Sequence, residues 1–146
     1  IVHPISRDSD LRLSYTFSLP DYCKTIGNSL YVNLNLDKDY QNSDIDTLKQ
    51  KYDDKISFKS TVKYNIELEI PEGYSMKKIP VSVDYSHESF SFKSSYNFDP
   101  KTNKILYEKQ IIVNSISISP DQFSAWNQMV KKMCESYAQA IILEKK

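Results

Sequence analysis

Covalent or metal chemistry in this chain would have to start from Cys23, Cys134, His3 and His87. Acyl transfer by cysteine needs a thiolate beside a histidine, with a third group to orient the ring. Here the histidines fall in the opening residues and in a turn after Tyr85, so pairing either with a cysteine would be coincidental. Two histidines without a carboxylate cluster make a poor zinc site, and the spacing of a calcium-binding loop is missing. With only Gly27 and Gly73, no glycine-rich phosphate loop can form. The carboxylate pairs Asp44 and Asp46, and Asp53 and Asp54, lie in a polar stretch where solvation is the commoner reason for such pairs. The sequence therefore reads as non-enzymatic, with no catalytic residue, no metal ligands and no cofactor. The cysteines are too few for a disulfide scaffold. Either they pair in space, or Cys134 packs as a small hydrophobe on a helix while Cys23 sits free in a turn.

The eleven tyrosines offer a different chemistry, that of contact. Tyr15, Tyr64, Tyr85 and Tyr96 are in phase with apolar neighbours and read as packing residues. Tyr22, Tyr31, Tyr40, Tyr52 and Tyr74 fall on loops or on the polar phase, where a ring can stack on a sugar or anchor a protein partner. Tyr22, Tyr31 and Tyr74 are the candidate surface contacts. Scattered surface tyrosines also need no functional explanation.

Composition narrows the partners. The chain has 146 residues, about one domain, and at that size folding hides roughly 70% of the unfolded surface. Lys plus Arg equals Asp plus Glu at 19 each, with the signs mixed along the sequence, so no field attracts nucleic acid or an anionic membrane. The only arginines are Arg7 and Arg12, which removes the residue best suited to phosphate forks. Nothing approaches the ~20 consecutive apolar residues of a membrane span. The chain begins at Ile1 with neither an initiator Met nor an apolar leader, as a lost signal peptide or a lost upstream domain would leave it. The expectation is a single domain over residues 1–146, excised from the C-terminal end of a longer protein.

Alternation of apolar and polar residues supplies the elements. Residues 61–74 place an apolar side chain at every second position, which a half-buried strand does and a helix cannot. The same period runs through Leu11, Leu13, Tyr15, Phe17 and Leu19, through Leu30, Val32, Leu34 and Leu36, and through Ile79, Val81, Val83 and Tyr85. Phe90, Phe92, Tyr96 and Phe98 alternate, residues 99–103 break the pattern, and Ile105, Tyr107, Ile111 and Val113 resume it, which predicts a hairpin. Consecutive Ile111, Ile112 and Val113 suggest a bulge or two-sided burial over residues 109–113. Pro71 and Gly73 end the long strand, Gly73 tolerating positive φ. From Asp37 to Asp54 the alternation stops. Ile45, Leu48 and Tyr52 share one side of a helix starting near Ser43, so the reading is a short exposed helix or a loop.

The last part of the chain differs in kind. Ser119-Pro-Asp-Gln is a capping box with Pro at the first helical position and Asp in the first turn. Phe123, Trp126, Val130, Met133, Cys134, Tyr137 and Ile141 recur at helical steps and form a stripe that must cover something apolar. Pattern leaves open whether residues 141–143 continue the helix or form a last strand. The fold class expected is mainly β: an antiparallel β-sandwich of about seven strands with one C-terminal α-helix packed on the sheet.

Residues 59–146 resemble the C-terminal domain of unknown function that follows a transglutaminase-like, papain-superfamily core in multidomain proteins of Bacteroidetes-type bacteria. The residues that carry the resemblance are Leu68-Glu-Ile-Pro-Glu-Gly-Tyr, Ile79-Pro, the hairpin over residues 90–107, Ile118-Ser-Pro-Asp-Gln-Phe and Ala140-Ile-Ile-Leu-Glu-Lys. Residues 1–54 match more loosely. In such proteins the Cys-His-Asp site of the transglutaminase or cysteine protease belongs to the preceding core, and nothing in this chain matches it. The resemblance implies a non-catalytic accessory domain in the periplasm or cell envelope, docking on the catalytic core of the same polypeptide or on another protein. A glycan- or cell-wall-binding β-sandwich module is the alternative. Nucleic acid and membrane insertion are not expected.

Overall fold

The computed structural model of the chain describes residues 13–146. Leu11 and His3 lie outside the described residues. The fold is mainly β, and the described residues form ten strands in three antiparallel sheets and one C-terminal α-helix, more strands than the sequence pattern separates. In chain order these are β1 (Lys24–Ile26), β2 (Ser29–Val32), β3 (Asp54–Lys55), β4 (Ser60–Glu69), β5 (Tyr74–Lys78), β6 (Val83–Ser86), β7 (Phe90–Asp99), β8 (Lys104–Val113) and β9 (Ser117–Ile118). A 3-10 turn (Pro120–Gln122), α1 (Phe123–Tyr137) and β10 (Ile141–Lys145) complete the chain. The large sheet has the order β4-β8-β7-β6 and the smaller one β1-β2-β10-β5, while β3 and β9 form a short pair.

The hairpin β7-β8 is the spine of the large sheet. Its register runs without a break from Phe90 opposite Val113 to Asp99 opposite Lys104. β4 pairs with β8 just as evenly, from Ser60 opposite Val113 to Glu69 opposite Lys104. Of the two readings of residues 109–113, a bulge or two-sided burial, the bulge is absent. A register shift occurs instead in the smaller sheet, between Ile142 and Leu143, where β10 meets β5. Ile111 and Val113 are inward and fully buried, and Ile112 points outward. Three apolar residues in a row thus reflect burial on both faces, since the outward Ile112 is half-buried.

One face of the large sheet is covered in two halves. Over Phe90, Phe92, Ile111 and Val113 lies α1, with Phe123, Trp126, Met129, Val130, Met133 and Tyr137 buried beneath it. Each such side chain contributes about 1.5–3 kcal/mol on burial. The capping box starts this end as expected: the Ser119 backbone N–H and Oγ both donate to Gln122 Oε1, at 3.2 and 3.1 Å. Over Tyr96, Ile105 and Tyr107 lies the smaller sheet, contributing Val32, Ile141 and Leu143. Residues 141–145 are thus a strand, inserted between β2 and β5.

Two expected strands differ, and of the two readings of the 37–54 segment the loop is the one found. Residues 13–19 keep a strand's alternation but pair with no strand, and Leu13, Tyr15, Phe17 and Leu19 are all exposed, Tyr15 at 78%. Ile79, Val81, Val83 and Tyr85 do not form one strand. Pro80 cannot donate to a ladder, and around it the chain leaves the smaller sheet at β5 and enters the large one at β6. The segment 37–53 has no helix: Ile45 is buried, but Leu48 and Tyr52 are each 84% exposed. Tertiary bonds hold this segment in place of helical ones. Asn127 on α1 accepts the Ile45 N–H and donates to its carbonyl, at 2.7 and 2.8 Å, and Trp126 Nε1 donates to the Ser43 carbonyl at 2.6 Å. Gly73 does have positive φ, at 83°, in a turn closed by the Tyr74 N–H on the Pro71 carbonyl.

Candidate functional site

Among the described residues, the only charged side chain in the buried set is Lys109. The strict alternation of β8 puts it on the inward face between Tyr107 and Ile111, at the join between the two apolar clusters. Cross-strand neighbours in the same row are Tyr64 on β4 and Ser94 on β7. Ser94 Oγ lies 3.2 Å from Ser136 Oγ on α1. A polar seam thus crosses the covered face.

Residues 33–40 close the seam from above. Lys109 Nζ donates to the Asp37 carbonyl at 2.7 Å and lies 3.8 Å from Asp39 Oδ2. It sits over the Tyr64 and Tyr137 rings, 4.1 and 4.8 Å from their centroids, where each π-face attracts a cation. The Tyr64 hydroxyl donates to Asp37 Oδ2 and Asp39 Oδ2, at 2.9 and 3.0 Å. Tyr137 donates to the Asp39 carbonyl at 3.1 Å, and Tyr107 to Asn35 Oδ1 at 2.6 Å. Asn33 Nδ2 reaches the Tyr137 carbonyl at 2.8 Å. Among the described residues, Asn35 Nδ2 and the Tyr96 hydroxyl are the buried side-chain atoms without a hydrogen-bond partner.

Burial pushes the Lys109 ammonium below the usual lysine pKa, and Asp39 and Asp37 oppose that shift. Tyr64, Tyr107 and Tyr137 move the other way. Burial raises all three; hydrogen bonds to Asp37 and Asp39 add to it at Tyr64, neighbouring Tyr96 at Tyr107, and Asp39 at Tyr137. An enclosed lysine with a depressed pKa can in principle serve as a nucleophile. Here the side chain is 2% exposed and both its contacts and its ring faces are occupied. The arrangement fastens the 33–40 connection to the large sheet. The sequence signal for Lys109 was its parity within β8, which the bulge reading obscured.

The cysteines are free and the candidate nucleophile and base are apart in kind and surroundings. Cys23 is exposed beside β1, and Cys134 Sγ donates to the Gln41 carbonyl at 3.3 Å. His87 stacks on Phe90 at 4.3 Å, with Nδ1 accepting the Ser89 N–H. Asp44, Asp46 and Asp53 are exposed, with Asp46 paired to Lys49 at 3.3 Å. Among the described residues no group of three or more His, Cys, Asp or Glu is placed to hold a metal ion, and no helix is long and apolar enough to cross a membrane.

The three candidate contact tyrosines are not brought together. Tyr22 donates its hydroxyl to the Asn33 carbonyl, leaving an exposed ring beside the 33–40 connection. Tyr31 stands opposite Ile142, on the outer face of the smaller sheet. Tyr74 packs against the inner cluster, on the opposite face. The packing tyrosines divide similarly: Tyr96 is buried, Tyr64 and Tyr85 are half-buried, and Tyr15 is exposed. The open face of the large sheet bears a shallow concavity of about 520 Å³ lined by Lys63, Asn65, Asp84, Lys93 and Glu108. Outward positions on β4, β6, β7 and β8 carry no aromatic ring.

Fold and seam together define a mainly β module with a helix-covered sheet and a lysine-centred join. A family model described as a domain of unknown function with solved structure, DUF3858, matches residues 28–143, and the chain belongs to that family. No curated protein and no solved structure matches it.

Proposed function

We propose that this chain is a non-catalytic accessory domain, docking on a transglutaminase-like catalytic core that precedes it in the same polypeptide of a bacterial envelope protein. The observation that carries the reading is the exposed apolar row Leu13, Tyr15, Phe17 and Leu19. Its apolar residues alternate in sequence as in a strand, the Tyr15 and Phe17 rings lie 5.8 Å apart, and among the described residues no strand pairs with them. A row of that size in water marks an interaction surface. It also precedes the span matched by the family, residues 28–143, as expected of a connection that belongs to a neighbour's sheet. The resemblance to domains that follow transglutaminase-like cores names that neighbour.

The test is calorimetric titration of the 146-residue chain into the separately expressed core encoded upstream. Binding that is lost when Tyr15 and Phe17 are both replaced by serine supports the reading, and no binding overturns it. A parallel titration with cell-wall saccharides addresses glycan recognition, for which exposed aromatic stacking is the usual means.

A further inference from the structure

We propose that β4 is a homodimerisation edge, and that two copies of this chain join their large sheets into one eight-stranded sheet about a two-fold axis through Asn65. This goes beyond the docking role of residues 13–19 and uses a different surface. β4 is the outermost strand of its sheet, ten residues long and evenly paired with β8 on its other side. Among the described residues, no backbone hydrogen bond meets its free edge. Soluble proteins commonly blunt such an edge with a proline, a bulge or a covering loop, because unpaired N–H and C=O groups template another strand. β4 has neither a proline nor a bulge; its charged positions are Lys63, Glu67 and Glu69, and residues 37–40 reach only its inner face, at Ser60 and Tyr64.

The sequence of β4 identifies the occupant, because it is complementary to itself when reversed. With Asn65 of one copy opposite Asn65 of the other, Lys63 of each faces Glu67 of the other on the outer side. On the inner side Val62 meets Leu68 and Tyr64 meets Ile66. The four inner side chains are only half-buried, whereas Tyr107 and Ile111 on β8 are fully buried. A second β4 would cover them. Moving the axis to Tyr64 places Lys63 opposite Asn65; moving it to Ile66 faces Lys63 with Glu69 but sets Glu67 against Asn65 and shortens the overlap from residues 61–69 to 63–69. Lys63 makes no ion pair among the described residues, so it is available; Glu67 contacts Lys104 at 2.7 Å across an exposed pair. Opposite charges directly across an antiparallel pair favour association, and like charges oppose it.

The experiment is sedimentation equilibrium on the whole chain, with disulfide trapping. The wild-type chain should show a concentration-dependent dimer. Lys63→Glu places like charges opposite each other twice and should weaken the dimer about tenfold or more, as should Glu67→Lys. Mixed together, these two variants pair opposite charges at both positions and should form a heterodimer. Asn65→Cys in a Cys23→Ser background should form an intermolecular disulfide, since a residue on the axis meets its own copy within the 4.4–6.8 Å Cα range that a disulfide spans. Lys63→Glu lies on the outer face, and an unchanged circular dichroism spectrum would separate lost association from lost folding. A chain monomeric at every concentration overturns the proposal. So does a dimer that survives Lys63→Glu without cross-linking at position 65, which would place a different surface at the interface.

Discussion

Residues 13–19 and α1 both carry periodic apolar residues, yet those of residues 13–19 lie in water and those of α1 are buried against the large sheet. In α1, Trp126 is 3% exposed and Met129 and Met133 are fully buried; in residues 13–19 every apolar side chain is exposed. Periodicity states which side chains share a face, but the presence of a matching apolar surface decides whether that face is covered. α1 has one, because β7 and β8 present Phe90, Phe92, Ile111 and Val113 beneath it.

The contrast can be broken most forcefully at Trp126. Its ring meets Phe90 and Tyr40 edge-on, at 5.3 and 5.7 Å, and its Nε1 holds the Ser43 carbonyl. Trp126→Ala should cost about 3–5 kcal/mol in chemical denaturation, and native Trp emission should be blue-shifted. A loss below about 1 kcal/mol would mean that α1 is not an integral cover.

Between the extremes stands Lys109, buried like α1 but charged. Lys109→Ala removes the cation while Asp39 stays in place, and should cost about 3 kcal/mol by urea unfolding. Lys109→Met keeps the volume and should cost less. Equal losses in the two variants would show that the ammonium contacts, not packing, dominate the seam.

The same groups predict how stability varies with pH. The Lys109 pKa is lower in the folded chain than its ordinary 10.5, so below that value the unfolded chain binds more protons and stability rises as pH increases. Tyr64, Tyr107 and Tyr137 have folded pKa values raised above 10.0, so beyond pH 10 the unfolded chain loses protons first and stability falls. Urea midpoints should therefore climb toward pH 10 and drop steeply above it, with the climb abolished in Lys109→Met. A profile unchanged by that substitution would place the titration elsewhere.

The smallest effect belongs to the exposed row. Phe17→Ser should change the stability of the chain by no more than about 0.5 kcal/mol. A larger loss would mean that residues 13–19 pack on this domain after all.

How much of this was legible follows the same division. β4, β7 and β8 could be read because their partners are also long alternating strands, and the capping box at Ser119 is a local signal. β5 was hidden by the expectation that the turn at Gly73 led into a strand beginning at Ile79, and the split at Pro80 required knowing that there are two sheets. The path of the 37–53 segment depends on Asn127 and Trp126, far along the chain. The seam is least legible, because Lys109 reads as a surface residue until its strand partners are fixed.

The position of β10 has a consequence for how the protein is made. β2 and β5 never touch as neighbours; each is bonded to β10, which lies between them. Synthesis delivers both flanking strands, β2 already able to pair with β1, well before β10, whereas the β7-β8 hairpin closes on itself as soon as it emerges. The large sheet can therefore assemble during translation, and the smaller one waits with two unjoined edges until β10 arrives to serve as its keystone.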